Sequence, residues 1–350
     1  MKKLTFILFI FLVMFSAGCK KTEQEQTQPM SRTEFLMGTV VTIKVFDGDM
    51  EAALDDVFQR LEELSAQITV NDDQAESLII AINKNAGIEP VEVPAEIFAL
   101  LKTAKEYSEL SDGSFDVTIG PLTSLWRIGF PDARKPAQEE IEEVLPLIDY
   151  KHLILDETTH TAYLEQAGMK IDLGAIAKGF MTDVVVELLQ NHDVTSAIID
   201  LGGNIFVMGT NPSGEDWSVG VQDPFSTRGS IIGKLNAADK SVVTSGIYER
   251  YLEVDGETYH HLLNPQDGYP FDNGLAGVSV ITDHSIDGDA LSTILFAKGV
   301  DEGLRFAEEL DGVEAIFITK EREVYLTSGL VGNFELTADD YQLVDHHSSH

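Results

Sequence analysis

Two oxygen-bearing side chains lie one helical turn apart in the segment DGDALST at 287–293. Asp289 and Thr293 are four residues apart at the start of a predicted helix, so their carboxylate and hydroxyl can face one point. Oxygen donors without His or Cys suit a hard ion such as Mg2+, which keeps its other positions for water and phosphate. An acid that favours the helix dipole, with Asp287 as the cap, explains the spacing equally well. The spacing alone leaves both interpretations open.

A second candidate is the segment GMKIDLGAIAKGFMTD at 168–183. Alternating residues predict a short strand at 169–173, and after a glycine the apolar spacing predicts a helix over 175–189. Free N–H groups at a helix start, together with the positive end of the dipole, suit an anion. Lys178 adds a charge for a phosphate, and Asp172 adds a carboxylate for a donor group of the ligand. An ordinary strand-to-helix turn is the alternative, and the missing Lys-Ser/Thr excludes a P-loop.

Two adjacent histidines follow a run of short strands, in the segment YHHLLNP at 259–265. Strand alternation places His260 and His261 on opposite faces, so at most one of them points at a given site. A histidine here is either a general base or a satisfied structural residue. The sequence pattern does not choose between these roles.

The elements around these candidates predict an α+β fold. Apolar residues at helical spacing indicate core helices at 54–68 and 95–110. The stretch at 115–131 has too many Gly, Pro and Trp for a regular element, which predicts a loop whose Trp126 either forms an apolar wall for a flat ligand or packs in the core. Short strands separated by Gly, Asp and Pro follow at 217–263. Because helices and strands segregate, we expect mixed, largely antiparallel sheets with packed helices.

The charge of the chain limits its partners. The 350 residues include 24 basic and 59 acidic side chains, for a formal net charge of −35. Such a chain repels a nucleic-acid backbone, so we expect no nucleic-acid partner. The same field repels a diphosphate ligand, which therefore needs local help from helix N-termini, a lysine or a divalent cation.

The N-terminal residues 1–18 are typical of a lipoprotein signal peptide. Two lysines precede an apolar run too short to span a bilayer stably, and small residues stand immediately before Cys19. This arrangement resembles a lipobox, so we expect Cys19 to be lipidated. The polar stretch at 19–33 predicts a flexible tether, and 34–345 predicts one domain or two intimately joined lobes. We therefore expect a protein anchored by lipid to the extracytoplasmic face of the cell membrane.

Seven motifs in this order resemble the FAD:protein FMN transferases, the ApbE-type flavin transferases. The resemblance implies that Mg2+ and FAD bind together, that a Thr or Ser hydroxyl of an acceptor protein attacks the FAD diphosphate, and that AMP leaves while FMN stays on the acceptor. The motifs are FLMGTVVTI at 35–43, DVTIGPL with LW at 116–126, IDLGAIAKGFMTD at 171–183, IIDLGGNI at 198–205, VVTSGIYERY at 242–251, YHHLLNP at 259–265 and DALST at 289–293.

The resemblance also assigns roles to particular residues. It implies that His261 is the general base, and that the backbone carbonyl of Ala175 joins Asp289 and Thr293 as a Mg2+ ligand. The residues that it places at FAD are Met37, Leu125, Trp126 and Asp172.

Two other functions fit much of the same sequence. An FAD pyrophosphatase would use the same site with water in place of the hydroxyl, giving FMN and AMP. A flavin-binding lipoprotein would capture the ligand without chemistry, and it would need neither a carboxylate–hydroxyl metal pair nor a histidine.

Overall fold

The computed structural model describes residues 28–70 and 76–345. The predicted signal peptide at 1–18 and the predicted lipidation site Cys19 lie outside the described residues. No helix within the described part combines the length and the apolar character needed to cross a membrane.

The fold begins earlier than the sequence pattern predicts. The first strand, β1 (Met30–Leu36), pairs antiparallel with β2 (Thr39–Val45) along its whole length. The predicted tether over 19–33 is therefore wrong for residues 30–33. Those residues are polar because β1 is an edge strand with mostly exposed side chains, and an exposed edge strand resembles a tether in composition.

The described residues form seven α-helices. The last helix is interrupted at Gly299, where φ is 75°. The helices are α1 (Met50–Ile68), α2 (Leu78–Lys84), α3 (Ala95–Leu110), α4 (Gly120–Trp126), α5 (Gln138–Val144), α6 (Ala177–Asn191) and α7 (Ser285–Glu308).

Most of the remaining regular structure is short strands. In chain order these are β3 (Val91–Glu92), β4 (Leu153–Asp156), β5 (Thr161–Leu164), β6 (Ala197–Leu201), β7 (Asn204–Met208), β8 (Trp217–Gln222), β9 (Ile231–Ala237), β10 (Lys240–Gly246), β11 (Tyr251–Val254), β12 (Glu257–His260), β13 (Leu275–Thr282), β14 (Glu314–Thr319), β15 (Glu323–Leu326), β16 (Glu335–Leu336) and β17 (Gln342–Leu343).

The strands confirm the predicted α+β class with largely antiparallel sheets. Nine strands form one sheet in the order β1-β2-β6-β7-β10-β13-β14-β15-β17, and only the short β15–β17 pair is parallel. Two three-stranded sheets, β16-β9-β8 and β3-β5-β4, and the hairpin β11-β12 complete the set.

The centre of the nine-stranded sheet is buried on both faces. Val278 and Val280 of β13 point into the main core with α1, α6 and α7, whereas Ile281 joins a second core under β8 and β9. Strands covered on both faces are apolar at consecutive positions, and every residue of β13 is buried. The sheet therefore gives α6 and α7 a rigid floor, on which both helices pack together.

A third, smaller core forms where a loop is predicted. The stretch at 115–131 contains α4, with Pro121 in its first turn and Arg127 in a left-handed conformation at its end. Pro is tolerated in a first turn because its missing N–H is not needed there. The predicted loop is thus wrong for 120–126, and α4 buries Leu122 and Trp126 against Tyr259.

Candidate active site

The junction between α6 and α7 brings together two of the predicted residues. Lys178 lies in the first turn of α6, and its Nζ is 2.8 Å from Oδ1 of Asp289 in α7. The other carboxylate oxygen, Oδ2, accepts the Gly179 N–H at 2.9 Å. The Asp289 side chain is only 5% exposed, so this carboxylate is held by a cation and a helix N-terminus in a largely dry environment.

The same contact explains why the Ala175 carbonyl is available. The predicted helix over 175–189 begins at Ala177 instead, so its first two positions are wrong. In a helix that began at 175, the Gly179 N–H would donate to the carbonyl of Ala175 four residues earlier. Here that N–H donates to Asp289, and the turn leaves the Ala175 carbonyl beside the carboxylate-bound end of α6.

A reciprocal contact fixes the second helix. Asp183 of α6 accepts the N–H groups of Ser285 and Ile286 at 2.7 and 2.9 Å, so it caps α7 while Asp289 caps α6. Burial raises the pKa of Asp183 to about 6. Asp287, which the alternative interpretation of the sequence made the cap, instead accepts a hydrogen bond from the Tyr107 hydroxyl at 2.6 Å.

Gly179 permits this close approach of the two helices. A Cβ built on Gly179 would lie 2.3 Å from the Ser285 carbonyl oxygen, far inside contact distance. Sequence reasoning missed Gly179 and Asp183 as site-forming residues. Their i, i+4 spacing places both on one face of α6, and that spacing was the available signal.

Asp172 lies in the turn that leads into α6. The predicted strand at 169–173 is wrong: only Lys170 makes a bridge, to Ile119, and the rest is extended chain. The Asp172 carboxylate accepts the Gly174 N–H at 2.8 Å and the Thr123 hydroxyl at 2.7 Å. Asp172 therefore ties this turn to α4, and Thr123 is a further residue that sequence reasoning missed.

Thr293 lies one turn beyond Asp289 on α7 and is half-buried. Within residues 28–70 and 76–345, no three His, Cys, Asp or Glu side chains gather into a group that could hold a metal ion. A Mg2+ site of one carboxylate, one hydroxyl and one carbonyl needs no such group, because Mg2+ keeps several water or phosphate ligands. All three donors are hard oxygens, and Asp289 already faces a cation, so the donor set fits Mg2+ bound together with phosphate.

His261 and His260 have different surroundings, as strand alternation predicts. His260 is 7% exposed, its Nε2 donates to the Phe271 carbonyl at 2.9 Å, and its ring packs edge-on against Phe296. His261 follows the end of β12 and is half-buried; its Nδ1 lies 3.2 Å from the Arg250 carbonyl. His260 is therefore a structural residue, and His261 is the histidine that remains available to a ligand.

Electrostatics keep His261 neutral. Burial lowers its pKa to about 3, and the positive charges of Arg250 and Lys178 lower it further. The Arg250 carbonyl can only accept, so Nδ1 carries the hydrogen and Nε2 is left as the proton acceptor.

The residues predicted to contact FAD lie in three places. Met37 occupies the β1–β2 turn in a left-handed conformation, with φ of 54°, and is half-buried. Leu125 is half-buried on α4. Trp126 is fully buried and its Nε1 donates to the Gly268 carbonyl at 2.9 Å, so its ring packs in the core instead of forming an open wall.

A surface cavity of about 300 Å³ lies elsewhere, and it contains none of the predicted residues. Its lining includes Lys240 and Glu314, and Lys240 is already paired with Asp283. Lys178 and Asp289 meet at the α6–α7 junction, not in this cavity.

Similar proteins agree with this geometry. The profile of the ApbE family matches residues 37–317. A FAD:protein FMN transferase from Klebsiella pneumoniae is 41% identical over 90% of this chain and 97% of its own, and one from Treponema pallidum is 37% identical over 86% and 87%. The crystal structure of an ApbE protein from Thermotoga maritima superposes with a TM-score of 0.80 at 29% identity, covering 87% of this chain and 99% of that one.

A mutant of the flavin transferase ApbE from Vibrio cholerae superposes with a TM-score of 0.77 at 27% identity, over 88% of this chain and 100% of that one. The fold and these matches define an enzyme of the transferase class, as predicted. The chain belongs to the ApbE family. Flavin transfer is the activity that this membership supports.

Proposed function

We propose that this chain transfers FMN from FAD to a Thr or Ser hydroxyl of an acceptor protein, with Mg2+, and releases AMP. The observation that carries the proposal is the Asp289 carboxylate, buried at the α6–α7 junction between Lys178 Nζ and the Gly179 N–H. A carboxylate, a lysine and a helix start at one point supply what a diphosphate needs in a protein of charge −35.

His261 acts as the general base in this proposal. Its Nδ1–H is fixed on the Arg250 carbonyl, so Nε2 is presented as the acceptor. The acceptor hydroxyl oxygen forms a bond to the phosphorus of the FMN half. The bond from that phosphorus to the bridging oxygen breaks, AMP leaves with the electron pair, and the hydroxyl proton passes to Nε2.

Asp289, Thr293 and the Ala175 carbonyl would hold Mg2+. When bound, the ion neutralises charge on the phosphate oxygens as the bond to AMP loosens. With Mg2+ on Asp289, the Lys178 ammonium would be released from this carboxylate and would be able to face the diphosphate. Asp172 holds the turn in place through Thr123 and Gly174 and contributes to FAD binding from that position.

The FAD-binding surface in this proposal includes Met37 and Leu125. Both are half-buried, so each has apolar surface left for a ligand. Trp126 is the last residue of α4, and its buried ring packs against Tyr259 at a centroid distance of 5.3 Å. This packing supports the helix that carries Leu125. This assigns Trp126 an indirect role in place of the ring contact with FAD expected from the sequence.

The test is incubation of the purified protein with FAD, MgCl2 and a candidate acceptor domain, followed by intact mass of both proteins and chromatography of the nucleotides. Transfer predicts that the acceptor gains the mass of FMN and that AMP appears in equal amount. A Thr→Val acceptor should gain no mass. FMN and AMP free in solution with an unmodified acceptor would favour a pyrophosphatase, and unchanged FAD would favour a binding protein.

We also propose that the protein is held by lipid at the extracytoplasmic face of the cell membrane. The support is the lipobox-like residues before Cys19 and the short polar stretch between Cys19 and β1. As a random coil, the ten residues at 20–29 would reach roughly 16–19 Å, since chain dimensions grow as ~5–6 Å × √n. Such a reach keeps the folded part close to the bilayer surface.

A further inference from the structure

The arginines of the described chain differ in their pairing. Five of the eight make salt bridges, and the guanidinium of a sixth, Arg305, donates to the Asp301 carbonyl. Among the described residues, the guanidinium groups of Arg228 and Arg250 make neither an ion pair nor a hydrogen bond. Unpaired guanidinium groups are unexpected in a chain with 59 acidic residues, which could neutralise both many times over.

Both unpaired arginines lie beside the candidate active site. The Arg250 carbonyl accepts the backbone N–H of His261 at 3.1 Å as well as its Nδ1, so this residue adjoins the proposed base. Arg228 lies against the glycine turn between β6 and β7, where a Cβ on Gly203 would be 3.6 Å from its Nη2. We call Arg228 and Arg250 the arginine rim.

The charges of both arginines influence one acidic residue, Glu249. The Glu249 side chain is partly exposed to solvent, but partial burial by the surrounding protein raises the pKa of its carboxyl. The positive charges that oppose this rise belong to Arg228, Lys178 and Arg250. The charges of Arg228, Arg250 and Lys178 thus all act on this one carboxyl, although neither arginine is within ion-pair distance of Glu249.

The Arg250 side chain packs against the backbone of Gly129. A Cβ on Gly129 would lie 2.8 Å from Cδ of Arg250, so the aliphatic part of the arginine packs directly on this backbone. Packing of the stem fixes the direction of the guanidinium without neutralising it. A held but unpaired guanidinium is suited to an anionic ligand, because its planar donors match phosphate oxygens in pairs.

We propose that Arg228 and Arg250 bind phosphate oxygens of the flavin dinucleotide. The inference rests on the proposed function, since it takes FAD as the substrate of this site. It assigns recognition of the diphosphate to two residues outside the carboxylate–lysine pair at the α6–α7 junction. Free FAD and released AMP carry the same phosphate chemistry, so both should depend on the rim, whereas riboflavin should not.

The test compares the affinity of the full chain for FAD, ADP and riboflavin by calorimetry. Arg228→Gln, Arg250→Gln and the double variant are measured beside Arg305→Gln, which removes the same charge from an exposed arginine on α7. Each rim variant should lose about 10–100-fold in affinity for FAD and ADP, the usual worth of a charge-assisted hydrogen bond. Riboflavin should bind all variants alike, and Arg305→Gln should behave as wild type.

Arg250→Lys provides a second test, with melting temperature as the folding check. It keeps the charge but not the paired donors, so we expect a smaller loss than for Arg250→Gln. Unchanged FAD and ADP affinity in the double variant would overturn the inference while leaving the proposed function intact. An equal loss for riboflavin would also overturn it. Failure of the wild-type protein to bind FAD would overturn the proposed function itself.

Discussion

Asp289 and Lys178 are paired with each other at the α6–α7 junction, whereas Arg228 and Arg250 at the arginine rim have no ion-pair partner among residues 28–70 and 76–345. The junction is dry and tightly packed, and each helix is capped by a carboxylate of the other. The rim is exposed and its direction is fixed only by packing of side-chain stems. A ligand must displace an existing interaction at the junction, but it can add to the rim without displacing any.

The difference between the junction and the rim concerns how a negatively charged protein binds a negatively charged ligand. An unpaired cation attracts phosphate directly, while a paired lysine becomes available only after another cation takes its carboxylate. Binding of the metal at the junction should therefore change the affinity for the dinucleotide. The rim should contribute to dinucleotide affinity without changing metal affinity. The predictions below test this contrast.

The largest effect is expected at Asp289. Asp289→Asn keeps an oxygen that can accept the Gly179 N–H, so the cap on α6 is preserved, but it removes the charged metal ligand. Transfer should fall by at least ~10²–10³-fold, the usual cost of removing one group that stabilises transition-state charge. Turnover at limiting Mg2+ is the measurement, with circular dichroism as the folding check. Normal activity there would show that the metal binds elsewhere.

Lys178→Gln should separate the two regions. Without the lysine, Mg2+ no longer competes for Asp289, so metal affinity in the absence of FAD should rise by about tenfold, while FAD affinity should fall by a similar factor. Arg250→Gln should weaken FAD and leave metal affinity alone. Titrations of Mg2+ with and without FAD give both quantities. If Lys178→Gln weakens both ligands, the competition between lysine and metal is wrong.

Gly179→Ala tests the packing that the junction depends on. A methyl group at this position would meet the backbone of Ser285, so the helices must separate. Overpacking of this kind costs about 1–3 kcal/mol in the free energy of unfolding. Urea unfolding measures it, and Gly277→Ala is a matched control for added bulk, because its backbone is not left-handed and a Cβ there would lie at an ordinary contact distance of 3.6 Å from its nearest neighbour, the Ser245 carbonyl oxygen. An equal change in both variants would contradict the account.

The smallest effect on activity is expected from Cys19→Ala. The first described strand begins at Met30, beyond Cys19, so removal of the lipid should leave transfer unchanged within about twofold. The variant should move from the detergent phase to the aqueous phase. Partitioning identical to wild type would contradict the lipid anchor.

The sequence predicted much of the fold because the regular spacing of apolar residues indicates which face of a helix or strand is buried. The helices α1 and α3 follow clear apolar stripes, and the hairpin β11-β12 follows Asp255-Gly256, both of which adopt positive φ. The strand β1 was missed because an edge strand needs few apolar residues. The helix α4 was missed because a proline that breaks a helix interior is harmless in a first turn.

The site was harder to predict than the fold. The spacing of Asp289 and Thr293 identified a possible metal pair, and alternation separated His260 from His261. The sequence could not show that Gly179 N–H donates to Asp289 or that Asp183 caps α7, because these contacts join positions more than 100 residues apart. The sequence also could not show how far burial lowers the pKa of His261, because the ordinary value of ~6.5 belongs to a free side chain.

The most direct test of the account is the transfer rate against pH for wild type, His260→Ala and His261→Ala at saturating FAD. A base works in its neutral form, and a pKa of about 3 keeps His261 neutral across pH 5–8. The ratio of the wild-type rate to the His261→Ala rate should therefore be ~10²–10⁴ and flat over that range. His260→Ala should keep most of the activity, because His260 only packs and bonds to Phe271. A crippled His260→Ala variant, or a His261→Ala variant with wild-type rates, would contradict the assignment of His261 as the base.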